Sequence, residues 1–172
     1  AAILLYIPIN IYNGYFKMEN LLPNLIKDIV FDGTLYHLWY LPASLAGGAL
    51  AWGLVRKSGF HRAFAVTAVL YLIGLFGDSY YGLAENVPVL GGFYTLWFQV
   101  SDYTRNGIFF APVFFVLGGW IADAQTRIRP VVSWTMCIVM LLFMLAEGLL
   151  LHHFQVQRHD SMYLFLLPFM YF

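Results

Sequence analysis

Long apolar segments alternate with short polar connections along the whole chain. The apolar segments cover residues 1–16, 34–55, 63–83, 106–122, 130–151 and 163–172, and the first and the last stop within an apolar run. A helix over 34–55 would rise about 33 Å, enough to cross a bilayer core of about 30 Å. The pattern therefore predicts an all-α, polytopic transmembrane helical bundle with four complete spans and a truncated helix at each end.

The composition makes a lipid bilayer the expected partner of this chain. It is 61% hydrophobic and 10% charged, whereas soluble domains carry about 25% charged residues. The net charge of zero argues against a nucleic-acid partner, and Cys137, the only cysteine, excludes a cysteine metal cluster. No repeat or linker marks a second domain. Residues 1–172 are therefore expected to be part of one membrane domain, with other helices of that domain missing from this sequence.

Basic residues concentrate in two of the polar connections. Connections 56–62 and 123–129 are basic, whereas the three other connections hold most of the acids. Because cytoplasmic loops are enriched in Lys and Arg, the two basic connections and the N-terminus of the chain are expected in the cytoplasm. The chain is thus predicted to be a multi-pass protein of the cell membrane. Parity then places four polar residues at or near the external face: His37, Asp78, Arg105 and His159.

His37 is the only side chain in 34–55 that titrates near neutral pH. It lies beside Trp39 and two tyrosines, which is typical of an aromatic belt at the membrane surface. Pro42 interrupts the first turns of the helix and leaves backbone groups for neighbours to satisfy, as happens beside a cavity. His37 is either a belt anchor or a functional group, and the proline favours function.

Two carboxylates fall at or inside predicted spans. The apolar run before Asp78 is shorter than the roughly 20 residues of a full span, so either Arg62 snorkels at the inner end or Asp78 lies near the outer end. Asp78 and Ser79 lie between glycines, as in a kinked helix end, which favours function. Glu147 lies within an apolar run, where a carboxylate is costly unless it is paired, protonated or facing water. Glu147 is a functional candidate or a partner in an interhelical hydrogen bond.

Asp102, Arg105 and Asn106 lie at the start of a predicted helix. An exposed ion pair between Asp102 and Arg105 would contribute little to stability, whereas the planar guanidinium suits an anion at the external mouth. Backbone N–H groups at Asn106 could bind the same anion. The last external connection adds His159 and Asp160, which do not form a catalytic triad with the serine after them, because triads are assembled in space. No metal site is expected.

The uncharged stretch 87–100 is too short to cross a membrane. Its proline, paired glycines and aromatic residues suit an interfacial or re-entrant segment that needs protein or water around its backbone. An amphipathic helix lying on the outer surface is the other interpretation.

Four stretches together resemble a known family. Residues 36–43, Tyr-His-Leu-Trp-Tyr-Leu-Pro-Ala, are similar to the His-Leu-Trp-Phe-Leu signature of the membrane-bound acyltransferase-3 family. Residues 71–79, 104–110 and 159–166 sharpen the likeness, because with 36–43 they resemble the membrane domain of the vancomycin-resistance serine racemases. The resemblance extends from about Ile7 to the end of the sequence.

The family resemblance implies an acyltransferase that moves an acyl group from a cytoplasmic donor, such as acyl-CoA, to an external hydroxyl acceptor. The racemase subgroup implies an alternative, a module that binds or imports L-serine for a cytoplasmic, pyridoxal-phosphate-dependent racemase domain. No racemase domain is present in this sequence, so neither pyridoxal phosphate nor another cofactor is expected in it. The first family helix, with its arginine motif and proposed catalytic histidine, is also missing, so the fragment is expected to be inactive alone.

Each alternative assigns roles to the candidate residues. In acyl transfer, His37 would assist proton transfer from the acceptor hydroxyl, and Arg105 with Asp78 would position a substrate. In serine binding, Arg105 would hold the carboxylate, while Asp78 or Glu147 would meet the ammonium group. The candidate catalytic residues are thus His37, Asp78 and Glu147, and the candidate substrate-binding residues are Trp39, Ser79, Asp102, Arg105, Asn106, His159 and Asp160.

Overall fold

The computed structural model describes residues 7–8, 11–12, 39–124 and 129–172 of the chain. The helices from residue 39 onward are α1 (Tyr40–Gly77), α2 (Tyr81–Ala84), α3 (Pro88–Trp97), α4 (Ala111–Ala124), α5 (Pro130–His153) and α6 (Leu166–Tyr171). No strand is present among the described residues. The predicted all-α fold is therefore confirmed for this part of the chain.

Helix α1 is a hairpin of two helices rather than one straight helix. Gly59 interrupts it with φ 76° and ψ 169°, a conformation that glycine adopts without strain. The rings of Trp39 and Tyr71 both lie near Phe110, with centroid separations of 5.7 and 6.2 Å. A straight helix would hold Trp39 and Tyr71 about 48 Å apart. Segments 40–58 and 60–77 therefore run antiparallel, and the reversal lies within the connection predicted at 56–62.

Helix α4 packs against both segments of the α1 hairpin. A Cβ atom on Gly47 would lie 2.5 Å from the Cβ of Ala111, and one on Gly74 would lie 2.7 Å from the Cβ of Phe109, just before α4. Small residues thus let the helix backbones approach closely, as is common between helices in membranes. The contact is completed by a buried cluster of Tyr71, Leu75, Val113 and Met162.

Two helices in the described part of the chain, α1 and α5, are long and apolar enough to cross a membrane, and α4 is apolar but shorter. Their surfaces expose large hydrophobic side chains, including Leu45 (78% exposed), Trp134 (70%) and Leu149 (72%). Apolar surface of this kind is stable against lipid rather than water, which indicates a membrane protein. The predicted four complete spans stay a prediction.

The two ends of the α1 hairpin gather different parts of the chain. Beside Gly59, the ring of His61 lies 4.7 Å from the ring of Trp120 on α4. At the opposite end, the backbone of the loop after α5 is hydrogen-bonded to Asp78, because the Arg158 N–H donates to the Asp78 carbonyl oxygen at 3.1 Å. The basic turn and the candidate site therefore lie at opposite ends of the hairpin.

Candidate functional site

Asp78 directly follows α1 and is fully buried. Its Oδ1 accepts hydrogen bonds from the Ser79 hydroxyl (3.0 Å) and from the N–H groups of Ser161 (2.8 Å) and Met162 (3.0 Å). Its Oδ2 lies 3.2 Å from the Ser161 hydroxyl. Burial raises the pKa of Asp78 above its usual value, while the hydrogen bonds from the backbone and from Ser79 oppose this rise. Asp78 therefore fixes the loop that carries Ser161, with Ser79 in the same network.

The backbone after α5 turns so that this loop returns to Asp78. Gln155 has φ 52°, the left-handed conformation that commonly ends a helix. The N–H of the next residue, Val156, donates to the Leu151 carbonyl oxygen at 3.3 Å, the long bond of a Schellman motif. The turn redirects the chain so that Arg158 and Ser161 reach the end of α1.

Arg105 is held beside Asp78 through one hydroxyl group. It is 7% exposed, and its Nη1 donates to Ser161 Oγ at 3.1 Å. Its guanidinium carbon lies 4.5 Å from the centroid of the Tyr103 ring and 5.1 Å from that of Trp39, within the range of cation–π attraction. Three residues predicted for the site, Trp39, Asp78 and Arg105, are therefore brought together.

His159 joins the same cluster from the loop after α5. Its ring lies 4.6 Å from the Tyr103 ring and hydrogen-bonds the backbone of Asp102. Its Nε2 is buried and has no hydrogen-bond partner among the described residues. Burial lowers the pKa of His159 below its usual value, although the Asp78 carboxylate opposes this. The imidazole is therefore neutral near pH 7, with Nε2 as a hydrogen-bond acceptor.

Asn106 organises the turn that leads into α4. Its Oδ1 accepts hydrogen bonds from the N–H groups of Ile108 (2.9 Å) and Phe109 (3.1 Å), and its Nδ2 donates to the Tyr103 carbonyl oxygen at 3.1 Å. Its own N–H donates to the Thr104 carbonyl oxygen at 2.9 Å. The N–H groups of Asn106, Ile108 and Phe109 thus bind protein oxygens, and the binding of a substrate by Asn106 stays a prediction.

Glu147 forms a second network, on α5. It is 6% exposed, and its Oε1 accepts hydrogen bonds from the Tyr80 hydroxyl and the Leu164 N–H, both at 2.6 Å. Its Oε2 accepts one from the Phe165 N–H at 3.1 Å. The carboxylate therefore fixes the turn before α6. The sequence predicted either this hydrogen-bonding role or a catalytic role for Glu147. Its catalytic role stays a prediction.

The remaining candidates lie at the rim of the cluster or outside the described residues. Asp102 and Asp160 are exposed. His37 lies outside the described residues, so its position stays a prediction. Within 39–124 and 129–172, no group of three or more His, Cys, Asp and Glu side chains could hold a metal ion.

Three residues of these networks were not predicted for the site: Ser161, Tyr103 and Tyr80. Ser161 lies in the 159–166 stretch that carries the family resemblance, and Tyr103 directly precedes the 104–110 stretch. Their places in or beside these motifs were the available signal. Tyr80 directly follows the 71–79 stretch and so had the same signal, but its partner Glu147 is distant along the chain.

One protein-family model, described as an acyltransferase domain, matches the chain over residues 1–172. The chain is 61% identical over 168 residues to an amino-acid racemase of Enterococcus faecalis and 42% identical over 166 residues to another amino-acid racemase of that species. It is 37% identical over 171 residues to a serine/alanine racemase of Enterococcus gallinarum. These matches cover 98%, 96% and 99% of this chain but only 24% of each relative, so the chain spans about a quarter of their length. No solved structure matches the chain.

The family match agrees with the geometry of the site. Trp39 and Arg105 belong to two different stretches that carry the resemblance, and the guanidinium carbon of Arg105 lies 5.1 Å from the centroid of the Trp39 ring. Because the family model covers every residue, the assignment does not depend on a single motif. The chain therefore belongs to the acyltransferase-3 family.

Proposed function

We propose that this chain is part of the membrane domain of an amino-acid racemase and that its Asp78–Arg105 cluster binds L-serine. The observation that carries the proposal is the buried Arg105 guanidinium, which binds the hydroxyl of Ser161 next to the exposed carboxylate of Asp160. The names of the racemase relatives support it. A site with both charges suits a small zwitterion, whose carboxylate and ammonium groups need opposite partners.

Arg105 is the proposed partner of the ligand carboxylate. Its guanidinium carbon lies over the rings of Tyr103 and Trp39, and carboxylates bind a guanidinium at its N–H edge, in the plane of the group. Because these ring contacts and the bond to Ser161 restrict Arg105 before a ligand arrives, little conformational freedom is lost on binding.

The ammonium group is proposed to lie toward the exposed carboxylate of Asp160 at the rim. Asp78 and Glu147 are less suited to it, because their carboxylates already bind hydroxyl and backbone donors of the protein. We assign His159 a polar role at the same place, since its Nε2 can accept a hydrogen bond from the ammonium or hydroxyl group of serine.

Binding of labelled L-serine to the full-length protein in proteoliposomes tests this function. We expect a saturable component of binding, additional to that of a racemase domain, that Arg105→Ala abolishes and Arg105→Lys weakens about tenfold or more, since lysine keeps the charge but not the planar fork. Arg62→Ala is the matched control, because exposed Arg62 lies near the basic turn, at the far end of the hairpin, and should bind as the wild type does. Saturable binding that is absent from the wild type, or that is unchanged in Arg105→Ala, would refute the proposal.

We also propose that the chain crosses the membrane four times, through segments 40–58 and 60–77, α4 and α5. The basic turn at Gly59 and the N-terminus of the chain then lie in the cytoplasm, and the Asp78–Arg105 cluster lies outside. Arg56, Lys57 and Arg62 around that turn support this orientation. In intact cells, a membrane-impermeant maleimide should label Asp160→Cys but not Lys57→Cys. The reverse labelling pattern would overturn the orientation.

A second candidate function is transfer of an acyl group from cytoplasmic acyl-CoA to an external hydroxyl acceptor. The family match over residues 1–172 favours it. His37 would then take the acceptor proton, and Asp78 and Glu147 would support the site. The test is transfer of labelled acetyl from acetyl-CoA to surface glycans by membranes that hold the full-length protein. Transfer that His37→Ala abolishes supports this candidate, and serine binding without any transfer excludes it.

A further inference from the structure

Helix α3 has three distinct faces. Residues 86–101 contain no charged side chain, so the faces differ in apolar and polar character alone. One face packs on the protein through Tyr94, which is fully buried, and its hydroxyl donates to the Ile73 carbonyl oxygen at 2.6 Å. Phe98, in the turn that follows α3, extends this face and stacks on Tyr94 with ring centroids 6.1 Å apart.

The second face is an exposed apolar stripe of Val89, Phe93 and Leu96, which are 81%, 40% and 66% exposed. The third face, the polar stripe, carries the exposed polar side chains of Thr95 and, in the following turn, Gln99, together with Gly92 and, in the first turn, Pro88. At 100° per residue, the apolar stripe and the polar stripe occupy adjacent sectors of the helix surface, and both lie away from Tyr94. The exposed surface of α3 therefore has one side of large apolar residues and one side that carries Thr95 and Gln99.

The contact with α1 fixes the depth of α3. Ile73, the partner of Tyr94, lies four residues before the end of α1, or about 6 Å along its axis. Gly77, the last residue of α1, lies so close that a Cβ atom on it would be 2.7 Å from the Tyr94 ring. Helix α3 therefore packs beside the last turn of segment 60–77, the second segment of the α1 hairpin.

We propose that α3 lies in the membrane interface, with the apolar stripe against lipid acyl chains and the polar stripe toward water. The last turn of a spanning helix lies at the boundary of the hydrocarbon core, and interfacial helices bury their apolar face about 5–10 Å into that boundary. A helix without charged residues, with one exposed apolar side and one exposed side that carries polar side chains, suits the boundary between acyl chains and water. The proposal requires α1 to be embedded in the membrane, but it is independent of the ligand of the Asp78–Arg105 cluster.

Quenching of a fluorophore at single cysteines tests the assignment of the faces. The cysteines are Val89→Cys and Leu96→Cys on the apolar stripe, with Thr95→Cys and Gln99→Cys as matched controls on the polar stripe. All four positions are exposed, so a label fits at each. The full-length protein, with Cys137 and other native cysteines replaced by alanine, is labelled with an environment-sensitive dye. It is then reconstituted in phosphatidylcholine–phosphatidylglycerol vesicles that contain a lipid with a nitroxide near the headgroup.

We expect the labels at 89 and 96 to be quenched severalfold more by the nitroxide lipid than those at 95 and 99. Iodide in the buffer should show the opposite order. Equal iodide quenching at all four positions would overturn the proposal, since the apolar stripe would then face water. Protection of 89 and 96 from both quenchers would also overturn it, since another part of the protein would then cover the stripe.

Discussion

Asp78 and Arg105 bind the same hydroxyl group: Ser161 Oγ lies 3.2 Å from Asp78 Oδ2 and 3.1 Å from Arg105 Nη1. The carboxylate and the guanidinium are thus held on either side of one oxygen atom. Because Asp78 also binds the N–H of Ser161, the position of this hydroxyl depends on the end of α1. The orientation of Arg105 therefore depends on Asp78 through Ser161.

Replacing Ser161 by alanine should disturb Arg105 while leaving the loop backbone in place. The Ser161 N–H bond to Asp78 survives the change, but two buried polar groups lose a partner, so we expect the free energy of unfolding to fall by about 1–3 kcal/mol. L-serine binding should weaken severalfold. The measurements are unfolding in mixed detergent–dodecyl sulfate micelles and serine binding to the full-length protein.

Ser58→Ala is the control for that change. Ser58 Oγ makes a single bond to the Leu54 carbonyl oxygen (2.8 Å), within its own helix and beside the basic turn. We expect little loss of stability and unchanged serine binding. If Ser161→Ala binds serine as tightly as Ser58→Ala does, the dependence of Arg105 on Ser161 is wrong.

Glu147 and Tyr80 should be energetically coupled across two parts of the chain. Their side chains are 2.6 Å apart, and the same carboxylate oxygen also accepts the Leu164 N–H. Glu147→Ala and Tyr80→Phe should each destabilise the protein by at least about 1–3 kcal/mol. The double variant should lose less than the sum, because either single change already breaks the bond. Strict additivity in the cycle would contradict a direct bond, and exposed Glu85→Ala is the control.

The sequence predicted the arrangement of the helices better than the bonds within the site. The reversal at Gly59 lies inside the predicted connection 56–62, because charged residues and glycine interrupt the apolar pattern there. The alternation of basic and acidic connections also grouped Asp78, Arg105 and His159 at one end, where the structure brings them together. Both features depend only on neighbouring residues or on the number of charges in each connection, so they can be predicted without knowledge of tertiary contacts.

The bonds of Ser161 and Glu147 could not be predicted in that way. They depend on the path of the loop after α5, and this path begins with the left-handed backbone of Gln155, a residue type that gives no signal for it. The partners of both residues are far apart in sequence, since Ser161 meets Arg105 and Glu147 meets Tyr80. Only packing of the whole bundle decides such pairs.

Acidification should destabilise the protein through His159. Burial lowers the pKa of His159 below the model-peptide value of 6.5, so the unfolded chain binds this proton more readily than the folded chain. Its contribution to stability is therefore complete above pH 6.5 and is lost as the pH falls through the lowered pKa. His159→Asn keeps a donor for the Asp102 carbonyl oxygen but does not titrate. We expect a smaller loss of thermal stability between about pH 7.5 and about pH 5 in this variant than in the wild type.

His153→Asn is the control for the pH effect, because His153 is exposed at the end of α5. Its stability should follow the wild-type pH profile. The assignment fails if His159→Asn and His153→Asn lose the same stability on acidification, since a buried neutral imidazole would then not be the cause.

The close contact between α1 and α4 should make Gly47→Ala destabilising, whereas Gly53→Ala, elsewhere on α1, should not be. A Cβ atom on Gly47 would lie 2.5 Å from the Cβ of Ala111 and 3.3 Å from backbone atoms of residues 111 and 112, whereas one on Gly53 would meet nothing within 4 Å. Gly47→Ala must therefore push α4 away, and we expect it to cost about 1–3 kcal/mol in unfolding free energy. Gly53→Ala should be neutral or stabilise by up to about 1 kcal/mol, since alanine is the better helix former. Both variants are measured by unfolding in mixed micelles, and a Gly47→Ala protein as stable as Gly53→Ala would show that α4 does not pack on segment 40–58 as described.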